Sequence, residues 1–150
     1  MFDTASVNTY GGSTTVSGAS LQLGSSNVTI PAGSTLVVSG GTFDIYGQTP
    51  SYGSVTVSSG SIIDSAVSKG TIAATSFNTS PGDGVTATIS AVMINAAGGN
   101  RVLTIGGTGL SVVNASNTFT GGVVLNSGIF APGSVAVSYT HLTLPTICSV

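Results

Sequence analysis

The chain has no tryptophan and no glutamate, and a single lysine and a single arginine are its only strongly basic residues in 150. Lys69 and Arg101 cannot build the basic patch that neutralises a phosphate backbone, so nucleic acid is excluded as a partner. The four acidic residues, Asp3, Asp44, Asp64 and Asp83, lie far apart in sequence and give no acidic surface. Charged residues make up 4 % of the chain, against about a quarter in ordinary globular proteins. No apolar run approaches the length of a membrane-spanning helix. The amino end, Met1-Phe2-Asp3-Thr4, shows neither the basic nor the apolar part of a signal peptide. An exported module would carry its address on sequence outside these residues.

Glycine, in contrast, supplies 22 residues, and apolar residues supply 41 %. Valine, isoleucine and threonine are abundant, which separates the chain from disordered sequences of similarly low charge. Apolar and small polar residues alternate with period two over Thr14–Val16, Leu21–Leu23, Asn27–Ile30, Thr35–Val38, Thr42–Tyr46 and Ser54–Val57. The same pattern returns over Gly70–Ala73, Val85–Ile89, Val102–Ile105, Leu110–Val113 and Val123–Leu125. Period two predicts strands. The gaps hold glycine pairs at 11–12, 40–41, 98–99, 106–107 and 121–122, expected to supply turns of positive φ, with Pro31, Pro50, Pro81 and Pro132 in or beside turns. An all-β sandwich, barrel or solenoid is compatible with this spacing.

Internal repetition selects the solenoid. Asn8-Thr9-Tyr10-Gly11-Gly12-Ser13-Thr14-Thr15-Val16 returns late in the chain, without a gap, as Asn117-Thr118-Phe119-Thr120-Gly121-Gly122-Val123-Val124-Leu125. The first copy runs on to Leu21-Gln22-Leu23-Gly24 and the second to Phe130-Ala131-Pro132-Gly133. A shared structural unit is the economical reading. Thr14 and Val16 are expected on one inward face, with Val123 and Leu125 in the same places; Leu21 and Leu23 are expected inward and Gln22 outward.

Residues 8–24 and 117–133 resemble the autotransporter-associated β-strand repeat, also called the passenger-associated transport repeat. The Asn-Thr-aromatic start, the paired glycines and the aliphatic residues that follow carry the resemblance. The first copy departs at Gly11 and Ser13 and has a later glycine one position early, at Gly18. The second has Phe119 for tyrosine, Val123-Val124 for two threonines and Phe130-Ala131-Pro132 in the leucine-rich stretch. The resemblance implies a right-handed parallel β-helix over residues 1–136, exported through a Gram-negative outer membrane by a β-barrel domain outside this sequence. It also implies a repeat that assists passenger folding and secretion at the cell surface.

The carboxyl end reads differently. Val137-Ser138-Tyr139-Thr140-His141-Leu142-Thr143-Leu144-Pro145-Thr146 looks like a translated sequencing adaptor, so residues 137–150 are expected to be a non-native tail and the chain a fragment. A genuine terminal strand is the alternative. The only histidine, His141, and the only cysteine, Cys148, fall in this tail. Without them neither a Ser/His/Asp triad nor a cysteine nucleophile can be assembled. A carboxylate pair would have to come from distant residues such as Asp44 and Asp64 on successive coils; solvated Asp is the plainer reading. Gly40-Gly41-Thr42-Phe43-Asp44 misses the third glycine of a calcium-binding nonapeptide, and Gly106-Gly107-Thr108-Gly109 lacks the context of a dinucleotide fingerprint.

No catalytic, cofactor or metal residue is therefore expected. The first functional reading is a structural passenger stalk whose partners are its own neighbouring coils and the β-barrel. The second is an adhesive or glycan-binding surface protein, using Tyr46, Tyr52 and the segment Gln48-Thr49-Pro50-Ser51 against a host surface. The third is a β-helical polysaccharide-degrading enzyme. Asn8 and Asn117 are candidates for side-chain ladders at bends, with solvated turn residues as the alternative. Tyr10 and Phe119 read as packing residues ahead of sugar-stacking ones.

Overall fold

The computed structural model describes residues 8–24, 30–133 and, for the backbone alone, 142–143. These residues contain strands and no helix. In chain order the strands are β1 (Thr14–Val16), β2 (Ser20–Gln22), β3 (Thr35–Asp44), β4 (Ser51–Tyr52), β5 (Ser54–Ile63), β6 (Thr71–Ala74) and β7 (Phe77–Thr79). They continue with β8 (Thr86–Ile89), β9 (Val92–Asn95), β10 (Leu103–Ile105), β11 (Leu110–Val113), β12 (Val123–Leu125), β13 (Ile129–Pro132) and β14 (Leu142–Thr143). Every pairing is parallel, each strand lying on its equivalent in the next coil. The result is a β-solenoid of about five turns. One sheet has eleven strands, and β4, β6 and β9 form a second of three.

Register explains the sequence repeat. Thr14 pairs with Leu36, Leu36 with Val55, Val55 with Phe77, Phe77 with Leu103, and Leu103 with Val123. The coils differ in length, yet these five steps from Thr14 to Val123 cover the same interval as that from Asn8 to Asn117, the starts of the two Asn-Thr-aromatic units. Both units end on the same column of the stack. Beyond the first corner the ungapped match needs correction. Ser20 stands in the column of Thr42, Ser61, Thr88, Val112 and Ala131, so Leu21 aligns with Pro132 and not with Phe130. The cause is corner length. The path from Leu125 to Ala131 in the last coil is longer than the path from Val16 to Ser20 in the first, although each joins the same two columns.

The core is a column of inward side chains shielded by the sheets on either side. Leu36, Val55, Phe77 and Leu103 are fully buried in one row, and Phe43, Ile62 and Ile89 in another. Burying each such side chain contributes about 1.5–3 kcal/mol. Val16 and Leu23 are buried and Thr14 is half-buried, as alternation predicts; Leu21 and Leu125 pack half-buried against the core. Thr79 and Ser111 are polar and buried at inward positions, and they satisfy each other: the Ser111 hydroxyl donates to Thr79 Oγ1 at 2.8 Å.

Several local expectations change. Gly40-Gly41 is not a turn between strands but a bend within β3, marked by a register irregularity near Ser39. A Cβ on Gly41 would stand 2.1 Å from the Ala19 carbonyl oxygen, and one on Gly60 2.1 Å from that of Gly41, so the coils approach too closely here for any side chain. Positive φ occurs at Gly40, Gly98, Gly99, Gly107 and Gly122, but at neither Gly11 nor Gly12. Pro132 lies inside β13, a sheet-edge strand whose missing N–H costs no ladder bond there. β4, β7, β9 and β13 are additional strands. Of the expected strand 27–30, Asn27–Thr29 lie outside the described residues. So does most of the tail 137–150, apart from Leu142–Thr143, whose backbone pairs with Val123–Val124.

Candidate functional site

The most polar constellation in the fold is built by two aspartates on successive coils. At the end of β3, Phe43 and the following Ile45 point inward, so Asp44 between them points outward, yet it is only 6 % exposed because the segment after β5 folds over it. Asp44 Oδ1 accepts the backbone N–H groups of Tyr46 and Ser65, each at 3.0 Å. Its Oδ2 accepts the Ser65 hydroxyl at 2.5 Å and Gln22 Nε2 at 2.8 Å. Asp64 answers from the next coil: Oδ1 accepts Gly47 N–H at 2.9 Å and Ala66 N–H at 3.1 Å, and Oδ2 accepts Gly70 N–H at 2.6 Å. Each carboxylate thus holds a bend of its own coil and one of its neighbour.

This arrangement does bring Asp44 and Asp64 to one corner, as sequence spacing allowed, but as acceptors of backbone and side-chain donors. Burial pushes the Asp44 carboxyl upward, and donation from Ser65, Gln22 and Tyr46 outweighs it, leaving the group below its ordinary value. An ionised carboxylate with four donors on it has neither a proton to give nor free lone pairs to take one. Its chemistry is that of a structural clasp. Lys69 completes the corner by donating to the Asp64 carbonyl oxygen at 2.5 Å.

The adhesive patch expected around Tyr46 and Tyr52 divides in two. Tyr46 is 37 % exposed and has φ of +44°, held there by the bond from its N–H to Asp44. Tyr52 is 1 % exposed, lies in β4 and meets Phe43 edge-on at 6.3 Å and 76°. Burial pushes its hydroxyl far above the usual range, and the hydroxyl has no hydrogen-bond partner. The cause is register: Tyr52 pairs with the buried Ala74, and Pro50 is buried as well. The segment 48–52 is therefore part of the wall and not a projecting loop. What projects instead is Val67, fully exposed at the tip of the 64–70 segment.

The Asn-Thr-aromatic units provide the other notable side chains. Asn117 is 3 % exposed; its Oδ1 accepts Met93 N–H at 2.8 Å and its Nδ2 donates to the Ala115 carbonyl at 2.8 Å. The amide stands in for a peptide group where no strand continues the three-stranded sheet. It is a clasp between coils, not a rung in a ladder of asparagine side chains. Phe119 is buried and lies 6.2 Å from Phe77, while Tyr10 packs half-buried on the core and shares a hydrogen bond with Thr14 Oγ1 at 2.6 Å. Both aromatics pack. Asn8 is half-buried.

Sequence reasoning passed over Asn95, whose Oδ1 accepts the N–H groups of Arg101 (3.1 Å) and Thr120 (3.2 Å) and so pins the loop after β9. Its only signal was position, just before the Gly98-Gly99 turn. Asp83 is exposed in the turn before β8, and Asp3 lies outside the described residues. Among the described residues, no three of His, Cys, Asp or Glu come together as a metal site, and no helix is long and apolar enough to cross a membrane. An open groove of about 480 Å³ is lined by the first coil, including Tyr10, Thr14, Val16 and Leu21. No protein-family model, curated protein or solved structure matches the chain.

Proposed function

We propose that this chain is a structural β-helical segment of a bacterial autotransporter passenger, exported to the cell surface, where it forms a stalk and where its repeat units aid folding during secretion. It has no catalytic role in this reading. The observation that carries it is the placement of the two Asn-Thr-aromatic units five coils apart on one column, each with its aromatic packed just before the first strand. A unit that recurs in one structural place, and whose second copy clasps the preceding coil through Asn117, suits a device that adds coils in order. The polar corner supports the same reading, since its carboxylates are consumed in joining coils.

The test places the whole chain between a secretory leader and an autotransporter β-barrel in a Gram-negative host. Intact cells should display it, with a protease-resistant solenoid, and deletion of 117–133 should lower display. Retention of the full chain in the periplasm, with the barrel itself correctly inserted, would overturn the proposal.

A further inference from the structure

The outward face of the first strand column has a regularity that the stalk reading does not use. Thr15, Val37, Thr56, Asn78, Thr104 and Val124 occupy one register column, one residue from each coil. Beside it Thr35 pairs with Ser54, and the Ser76 carbonyl accepts Val55 N–H at 3.0 Å, continuing a second column on the same side of the sheet. Neighbouring strands lie about 4.8 Å apart, and alternate residues of one strand about 6.6 Å apart. Hydroxyls at Thr15, Thr35, Ser54, Thr56, Ser76 and Thr104 and methyl groups at Val37 and Val124 therefore stand at repeating spacings in two directions over a parallel sheet, with Asn78 the one amide in the first column.

Three properties of this face restrict what it can hold. It carries no charge, which removes ionic ligands. No aromatic ring stands in either column, which removes the stacking on which sugar rings depend. The hydroxyls of Thr15, Thr35, Ser54, Thr56 and Thr104 make no hydrogen bond to the protein, whereas on the next face Thr42 and Ser61 bond each other at 3.3 Å. Free donors and acceptors on a neutral two-dimensional grid fix water molecules at regular positions. The spacings are of the order of the oxygen repeats on an ice surface, and the interleaved methyl groups of threonine and valine favour water that is already ordered over liquid.

From this geometry we infer that the face of β1, β3, β5, β7, β10 and β12 binds ice. The inference is independent of the passenger proposal, because it needs only the register and the side chains of this face. The test freezes a dilute solution of the whole, folded chain slowly onto a cold surface and measures partition between ice and liquid. The chain should be enriched in ice relative to a non-binding globular protein. Thr56→Tyr, which raises a ring from the middle of the grid, should reduce the enrichment by about tenfold, the scale of losing one central contact. Thr104→Tyr should act alike, so that a folding defect in either variant, read by circular dichroism, still leaves the other. Thr88→Tyr, on the outer side of β8, should retain enrichment. Exclusion of the folded wild-type chain from ice would overturn the inference. So would equal losses in the Thr56 and Thr88 variants, or capture by particulate cellulose in place of ice.

Discussion

Replacing Asn117 by alanine tests whether one side-chain amide joins two coils. The substitution removes the acceptor of Met93 N–H, and Met93 is fully buried, so no water reaches the orphaned donor. The Ala115 carbonyl loses Nδ2 but keeps the Asn117 backbone N–H at 3.0 Å, so its loss is small. The cost is then that of one buried unsatisfied donor, about 1–3 kcal/mol. For a chain of this size that lowers Tm by about 2–12 °C. Thermal and urea unfolding measure the total, and hydrogen exchange locates it. In a solenoid the damage stays near its source, so the Met93 and Thr118 amides should lose protection while the pairing of β5 with β7 keeps it. Thr118→Ala, altering an exposed side chain, is the control and should lie within about 0.5 kcal/mol of wild type. If Asn117→Ala melts with the wild type and Met93 stays protected, the amide is not a clasp.

Asp44 sets an acid limit: its folded value lies below its ordinary 3.8, so its stabilisation is complete above that pH and is lost as pH falls through the folded value. The urea midpoint should fall in that window, and Asp44→Asn should flatten that part of the profile; an unchanged profile would count against the clasp. Tyr52→Phe removes a buried hydroxyl that has no partner, so unfolding should show a change from zero to a gain of about 1 kcal/mol, and a clear loss would mean that the hydroxyl is satisfied. Gly60→Ala combines a φ of +77° with a Cβ 2.1 Å from the Gly41 carbonyl oxygen and should cost about 2 kcal/mol or more. Gly84→Ala, at φ of +69° with open space around it, should cost only the conformational part, about 1–2 kcal/mol; equal costs in the two variants would refute the close approach.

The solenoid was legible because its two determinants are local: period-two alternation marks strands, and a repeat that recurs along the chain marks stacking. The same signals misplace details that depend on a neighbouring coil. Hydrophobicity alone turns Leu110 and Val112 inward, yet the register fixed by β8 places Ser111 and Val113 there, with Ser111 rescued by Thr79. Tyr52 reads as a loop residue beside Pro50, and only its pairing with Ala74 shows that it belongs to the wall. Sequence spacing made Asp44 and Asp64 conceivable neighbours across coils but favoured solvated Asp, which the burial of Asp44 corrects; their saturation depends on where the bends of 46–47 and 65–70 direct their N–H groups. Alternation contains no information about those directions.

The recurrence of one motif on a single column after five coils also sets a length. With strands stacked about 4.8 Å apart, that interval corresponds to roughly 24 Å along the solenoid axis. A parent protein that reiterated this spacing would be a ruler with evenly placed marks, and its images or fibre diffraction would show a long axial period superposed on the strand repeat.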